Sequence, residues 1–495
     1  MAITEFIAAV ELSSTKISGM AGKKGEDGTL QILAFAQEDA TSLIKKGIVF
    51  NLELTAQAIV KIIKSLEKTL NSKISKIYVG ISGQSVHTIK NVITRNLDKI
   101  DIISQSLIDS ISDENIGLPV ENKEILEVIP QEFRIGNNLQ KNPVGVASDQ
   151  IEGNYLNVVA RKSVHDNLLY SLDQAEIEIA DLVVSPLSTA KLVVSEADKR
   201  SGCAFVDFGA ETTTVAIFKN DILRFLTVIP LGSNNITKDL TTLRIDTLLA
   251  EQIKIETGNL NYEVKNKDEV ETLFIDEDRS KEEPLAKINE MIRARAEEIV
   301  SNVWNQIQLS GYDDQLNAGI TITGGGSNLR GLIDLIKKIT SIERVKVGSP
   351  QLEIKHSKFI EELINQEHPN SLNTVISLLA IGDINCAKIE KATETTLFEG
   401  EHLMSDQEKI KFEQEELEQK TPEQIAAEAA LIKEQEEAKR RAEEERVKRE
   451  AEEKKRKEEE AKKRKKKENG NSFLKSIFDN VKNSILNEED KNLKD

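Results

Sequence analysis

Two stretches of this chain pair an acid with a small, hydroxyl-bearing turn. In the first, the apolar run Phe6-Ile-Ala-Ala-Val-Glu-Leu12 carries Glu11 near its end, turns through Ser13-Ser14-Thr15-Lys16 and resumes from Ile17 to Gly22. In the second, Cys203-Ala-Phe-Val-Asp-Phe208 carries Asp207, turns through Gly209-Ala210-Glu211-Thr212 and resumes from Thr213 to Phe218. A hairpin tip of this kind offers backbone N–H groups and hydroxyls to phosphate oxygens, and the acid beside it can hold a hydrated Mg²⁺. Each copy taken singly reads equally as a buried hairpin with no ligand. Two copies favour a nucleotide site between two related domains. A third junction runs from a strand over 318–323 through Gly324-Gly325-Gly326-Ser327 into a helix expected over 328–339, where glycines let a flat ligand approach the backbone. Glu251 and Lys254 share one face of a helix expected over 247–258, either as a solvated charged face or as a bracket for a ribose.

The elements that must position these groups are legible in outline. The strands leading into the turns are apolar throughout, as strands covered on both faces are. A helix over 54–70 precedes a strand over 75–82. Residues 84–160 read as short strands with Pro-containing segments, Val128-Ile-Pro-Gln-Glu-Phe133 and Asn142-Pro-Val-Gly145, and look like a small inserted domain without a catalytic grouping. His87, His165, His356, His368 and His402 form no metal-ligand spacing, and no Ser/His/Asp or Cys/His set can be argued.

Charge divides the 495 residues unevenly. The chain holds 66 Lys+Arg and 84 Asp+Glu, net −18. Residues 401–470 alone hold 20 basic and 22 acidic side chains and residues 471–495 a further 4 and 5, which leaves 99 charged residues in 1–400, a normal density for a soluble globular body. A body of that size exceeds a single core. Its net −15 argues against general nucleic-acid binding. Two cysteines, Cys203 and Cys386, without a CxxC pair fit a reducing cytosol. The apolar stretch from Phe6 to Val10 is too short for a signal peptide, and no run of 18 apolar residues spans a membrane, so any membrane contact is expected to be peripheral.

The tail has two parts. Within 434–467, Glu precedes Lys or Arg by four positions repeatedly, as in Glu436–Arg440, Glu444–Lys448 and Glu459–Lys463. With alanine as nearly the sole apolar residue there is no heptad seam, and the segment reads as a long charged helix or a disordered polyampholyte, a spacer either way. After Asn469-Gly470-Asn471, the residues Phe473, Leu474, Ile477, Phe478, Val481 and Ile485 make one apolar stripe at helical spacing. Such a stripe suits an amphipathic helix lying in an anionic membrane surface, aided by the basic run 462–467, with a protein groove as the alternative.

In this order, Glu11-Leu-Ser-Ser-Thr-Lys16, Lys46-Gly47, Ile77-Tyr-Val-Gly-Ile-Ser-Gly83, Val128 to Phe133, Lys141-Asn-Pro-Val-Gly145, Val206-Asp-Phe-Gly209, Val228-Ile-Pro230 and Thr323 to Gly326 resemble the bacterial cell-division actin homologue family FtsA over about residues 3–386. The resemblance implies an α/β, two-lobed actin-like (ribonuclease-H-like, duplicated) fold with an inserted small α+β subdomain. It implies ATP and Mg²⁺ in the cleft between the lobes. Ser14, Thr15 and Lys16 would form the first phosphate loop with Glu11 near the metal. Asp207 would face Mg²⁺ through water, and Gly209, Ala210, Glu211 and Thr212 would form the second loop. Gly324, Gly325 and Gly326 would lie at the adenosine, with Glu251 and Lys254 near the ribose. No catalytic residue is assigned.

On the same resemblance, the chain divides into lobe 1 at 1–83, 162–192 and 366–390, the inserted subdomain 1C at 84–161, and lobe 2 at 193–240 and 304–365. Subdomain 2B covers 241–303, the charged spacer 391–468 and the amphipathic tail 469–495. The implied role is to tether the tubulin-like FtsZ ring to the cytoplasmic face of the inner membrane at the division site. Partners would be the FtsZ C-terminal peptide, anionic lipids, further copies of the chain in a filament, and later division proteins through 1C. Arg295 falls on the family's recurrent arginine of the peptide-binding helix, although an intrahelical pair with Glu298 or Glu290 explains it equally. This sequence departs from the family in having Glu11 for Asp, Ser13 for Gly, and Ala210 and Glu211 for two glycines. Ser185 stands where strongly hydrolysing members of the superfamily carry Glu, so hydrolysis is expected to be slow at best and nucleotide to act mainly as a conformational ligand. The alternatives are a pilus-type actin-fold scaffold and a phosphotransferase of the same fold.

Overall fold

The computed structural model of the chain describes residues 5–263, 272–274, 282–365 and 370–388. The charged spacer and the apolar stripe from Phe473 to Ile485 lie outside the described residues.

The first acid-bearing stretch is an antiparallel hairpin. Ile7–Leu12 pairs with Lys16–Lys24, Ile7 opposite Gly22 and Leu12 opposite Ile17, and Leu30–Asp39 adds a third strand. Ala8, Ala9 and Val10 are fully buried, which is why the strand reads as a continuous apolar run. On its other side lie the parallel strands Lys76–Ile81 and Glu178–Val184. Parallel pairing requires a crossover, and the helix Leu52–Leu70 supplies the first one. The Asn51 side chain accepts the Leu54 N–H at 3.1 Å to start the helix, and Asn71 in the left-handed region ends it. Ile59, Ile62, Leu66 and Leu70 form its buried face. At about 1.5–3 kcal/mol per fully buried aliphatic side chain, that face holds the helix more than intrinsic propensity does.

The second acid-bearing stretch repeats the plan. Cys203–Phe208, Thr213–Lys219 and Ile222–Ile229 form an antiparallel meander, and Gly319–Thr323 and Val345–Val347 lie parallel beyond Cys203–Phe208. Each acid-bearing strand therefore has its meander on one side and two parallel strands on the other. This is the duplicated, two-lobed α/β fold expected from the sequence. Alternation along Cys203–Phe208 divides its side chains: Cys203 and Phe205 join the apolar cluster of the first lobe, whereas Ala204 and Val206 join that of the second.

Residues 84–160 hold longer strands than the sequence pattern predicts. His87–Ile102 and Ala147–Arg161 run antiparallel, from His87 opposite Val159 to Ile102 opposite Ala147. Polar residues such as Lys90, Asn91, Asn96 and Asn154 interrupt the apolar alternation that would have revealed their length. The helix Gln105–Gly117, capped by Ser104, closes a separate small core of Ile93, Ile103, Ile111, Phe133, Ile135, Ile151 and Tyr155. In it the Phe133 and Tyr155 rings meet edge to face, centroids 6.2 Å apart.

The Pro130-Gln131-Glu132 stretch clamps this insertion to the second lobe. Arg224 on Ile222–Ile229 donates from Nη1 to Glu132 Oε2 at 2.6 Å and to Gln131 Oε1 at 3.0 Å, and from Nη2 to Glu132 Oε1. Gln131 Nε2 donates to the Leu223 carbonyl at 3.1 Å, and Lys141 Nζ donates to the Asn220 carbonyl.

Candidate functional site

Both hairpin turns close on themselves through backbone hydrogen bonds. In the first, Ser13 N–H donates to the Lys16 carbonyl at 3.0 Å, and the Ser13 hydroxyl donates to the same oxygen at 2.9 Å. Ser14 is buried, and its Oγ accepts the Gly47 N–H at 2.9 Å. Lys16 Nζ reaches Ser371 Oγ at 3.4 Å. In the second, Gly209 N–H donates to the Thr212 carbonyl at 2.9 Å. The first amides of the helix Ser233–Leu240 donate to the turn, Ser233 N–H to Gly209 at 3.0 Å and Asn234 N–H to Ala210 at 2.7 Å.

Glu11 and Asp207 face one another from the two lobes. Burial, and then the charge of Asp207, push the Glu11 carboxyl up to about 7 despite the opposing charge of Lys16. Glu11 accepts hydrogen bonds from the Val375 N–H and the Thr374 hydroxyl, yet its Oε2 is shielded from solvent and has no protein partner. Burial likewise pushes Asp207 up to about 6. Two desolvated carboxyls, one with an orphaned oxygen, fit a hydrated divalent cation, since Mg²⁺ characteristically takes one or two carboxylates and keeps several waters. Among the described residues no group of three or more His, Cys, Asp or Glu is arranged to hold a metal.

The three glycines divide in role. A Cβ at Gly324, whose φ is +84°, would lie 2.2 Å from Asp207 Oδ1 and 2.6 Å from the Phe208 carbonyl, so only glycine lets the third turn pack beside the acid. Gly326 is crowded against the same carbonyl. Gly325 faces open space, with Ser371 Cβ at 3.9 Å its nearest neighbour. The helix expected over 328–339 begins later than the sequence pattern predicts. A 3₁₀ turn spans Gly325–Asn328, and the α-helix runs from Leu332 to Thr340. Gly331 is left-handed, and Arg330 is held outside the helix by donating to the Gly258 carbonyl at 3.0 Å and the Glu256 carbonyl at 2.6 Å.

Glu251 and Lys254 do share a face of their helix, Thr247–Thr257, but it is not a freely solvated one. Lys254 is buried and donates to Glu251 Oε2 at 2.7 Å, Thr237 Oγ1 at 3.0 Å and the Ser233 carbonyl at 3.3 Å. Burial lowers its pKa, and Glu251 partly restores it. The pair thus braces the helix whose N-terminus supports the second turn. Arg295 grips Asp239 in a forked pair, Nε to Oδ2 at 2.6 Å and Nη2 to Oδ1 at 3.0 Å, and also meets Glu298. Of the two intrahelical partners expected, Glu298 is met, and a carboxylate from another helix is the larger neighbour.

The sequence reading did not identify Ser371, Asn373 and Thr374. Asn373 Nδ2 donates to Thr323 Oγ1 at 2.8 Å, tying the segment to the third turn. The available signal was a polar Asn370-Ser371-Leu372-Asn373-Thr374 run opening the apolar helix Asn373–Ile381.

Two mirrored lobes whose acid-bearing hairpins converge on one cleft define an actin-like protein. The PilM–PilN type IV pilus biogenesis complex shares the fold with a TM-score of 0.52 at 16% identity, covering 76% of this chain and 99% of that one. The family model for cell division protein FtsA matches residues 204–369. The chain is 29% identical to cell division protein FtsA of Porphyromonas gingivalis over 364 residues, covering 72% of this chain and 76% of the relative. It is 28% identical to that of Buchnera aphidicola over 396 residues, 76% and 91% of the two chains. Over its actin-like body the chain is similar to the FtsA family of cell-division proteins.

Proposed function

We propose that this chain binds ATP with Mg²⁺ in the interlobe cleft, and that it tethers the tubulin-like FtsZ polymer to the inner face of the cytoplasmic membrane. One observation carries the nucleotide reading: Glu11 and Asp207 converge from the two lobes, and Glu11 Oε2 lacks any protein partner. Bound Mg²⁺ would supply charge neutralisation for the carboxyls and the phosphates alike. Ser14, Thr15 and Lys16 bind on one side and Gly209 to Thr212 on the other, so occupancy couples the lobes and biases the conformation that assembles. Open space at Gly325 leaves room for a planar base. Ser185 provides no carboxylate to orient a water, so turnover is slow.

Similarity to the FtsA family supports the tethering reading. Arg295, preorganised by Asp239, is the side chain we assign to a carboxylate of the FtsZ peptide, and the stripe from Phe473 to Ile485 is the membrane contact. Among the described residues no helix is long and apolar enough to cross a membrane. The test is co-sedimentation of FtsZ with anionic vesicles. The full chain should bring FtsZ down, more so with Mg-ATP, and a chain lacking residues 471–486 should leave it in solution. Recruitment that is indifferent to that deletion overturns the tether.

A further inference from the structure

The second turn carries an acid at its tip, and that acid crosses the cleft. Glu211 Oε2 accepts the backbone N–H of Lys46, 165 residues away in the other lobe, at 2.5 Å. Lys46 and Gly47 form the two-residue turn between the short strands Ile44–Lys45 and Ile48–Val49, both with positive φ, 51° and 73°. The first lobe holds this turn in place on three sides. The Lys46 carbonyl accepts the Gln84 N–H at 3.0 Å, the Gly47 N–H donates to Ser14 Oγ at 2.9 Å, and a Cβ on Gly47 would lie 2.8 Å from Gly83 Cα. The donor that Glu211 meets is therefore fixed by the same lobe, and through the adjacent amide by the same serine, as the first phosphate turn.

We propose that Glu211 sets which nucleotide the cleft favours, by counting phosphates. The inference rests on the reading of the cleft as a nucleotide site. A carboxylate from the second turn already satisfies an N–H presented by the first lobe, so an anionic acceptor is built into the chain between the two turns. A diphosphate can end short of it and leave the Glu211–Lys46 bond standing. A terminal third phosphate lying between the turns brings oxygens that compete for the same N–H and charge of the same sign as the carboxylate. The cost falls on ATP and spares ADP, and ATP binding breaks a contact that joins the lobes.

The experiment compares the dissociation constants of Mg-ATP and Mg-ADP by calorimetry on the full chain, with Glu211→Gln and Glu211→Ala beside the native protein. Glu211→Gln keeps the shape and an acceptor oxygen while removing the charge, and thermal melting verifies that both variants are folded. In both, the ratio Kd(ATP)/Kd(ADP) should fall at least about tenfold, mostly through tighter ATP binding. A ratio within about twofold of the native value in both variants overturns the inference and leaves the nucleotide site standing. If neither native protein nor variants bind either nucleotide, the nucleotide reading falls and takes this inference with it.

Discussion

At the residue scale the decisive pair is Glu11 and Asp207. Each is desolvated, the charge of Asp207 raises the cost of ionising Glu11 further, and the hydrogen bonds from Thr374 and Val375 leave one Glu11 oxygen unserved. Without a cation the pair is a liability to the fold, and the proposed Mg²⁺ would relieve it. Glu11→Gln removes one charge without changing shape, so at neutral pH and without nucleotide it should melt about 2–5 °C above the native protein. The same variant should gain less from Mg-ATP than the native protein does. Differential scanning calorimetry with and without Mg-ATP measures both changes, and a lower melting point for the nucleotide-free variant would contradict the unpaired-acid account.

Among the elements, the strand Ile222–Ile229 joins the insertion to the second lobe through Arg224. This guanidinium is almost wholly buried and forked onto Glu132, whose carboxyl it holds below the usual range. Glu132→Gln should destabilise the chain by about 1–3 kcal/mol, because Arg224 is left without its counter-charge. The sign of the pH dependence follows from the lowered pKa. Glu132 contributes its stability in full above its unfolded value near 4.5 and loses it as the pH falls toward the folded value. Urea titrations at pH 7 and pH 4 should therefore show native protein and variant converging at the lower pH. A gap that widens on acidification would be incompatible with this pairing. The Val128 to Phe133 segment, conspicuous in the sequence as a motif without chemistry, is thus a structural clamp.

For the whole molecule, the proposed function assigns nucleotide to the cleft and lipid to the tail. The body presents two lobes coupled at one site, and the stripe from Phe473 to Ile485 is the part with the composition to reach lipid. Phe478→Glu places a charge in the middle of that stripe, so the full chain should pellet with anionic vesicles only in its native form. Raising the salt should weaken native binding, since the basic run at 462–467 contributes through a screened field. Undiminished pelleting of Phe478→Glu would remove the stripe from the membrane contact.

Both acid-bearing hairpins and the glycine turn were legible in the sequence because each is encoded locally, by an apolar run, a turn of small residues and a second run. The two copies in order were enough to imply a duplicated fold. The helix after the glycines was placed too early, since the carbonyls that hold Arg330 outside it belong to another segment. The same limit hid the burial of Lys254, the grip of Asp239 on Arg295, and the service of Thr374 and Val375 to Glu11. The amino-acid order determined which groups sit at each turn, Glu211 included. Only the packing of one lobe against the other decided that Glu211 meets Lys46, because a contact spanning 165 residues depends on how two sheets face each other and leaves no trace in local periodicity.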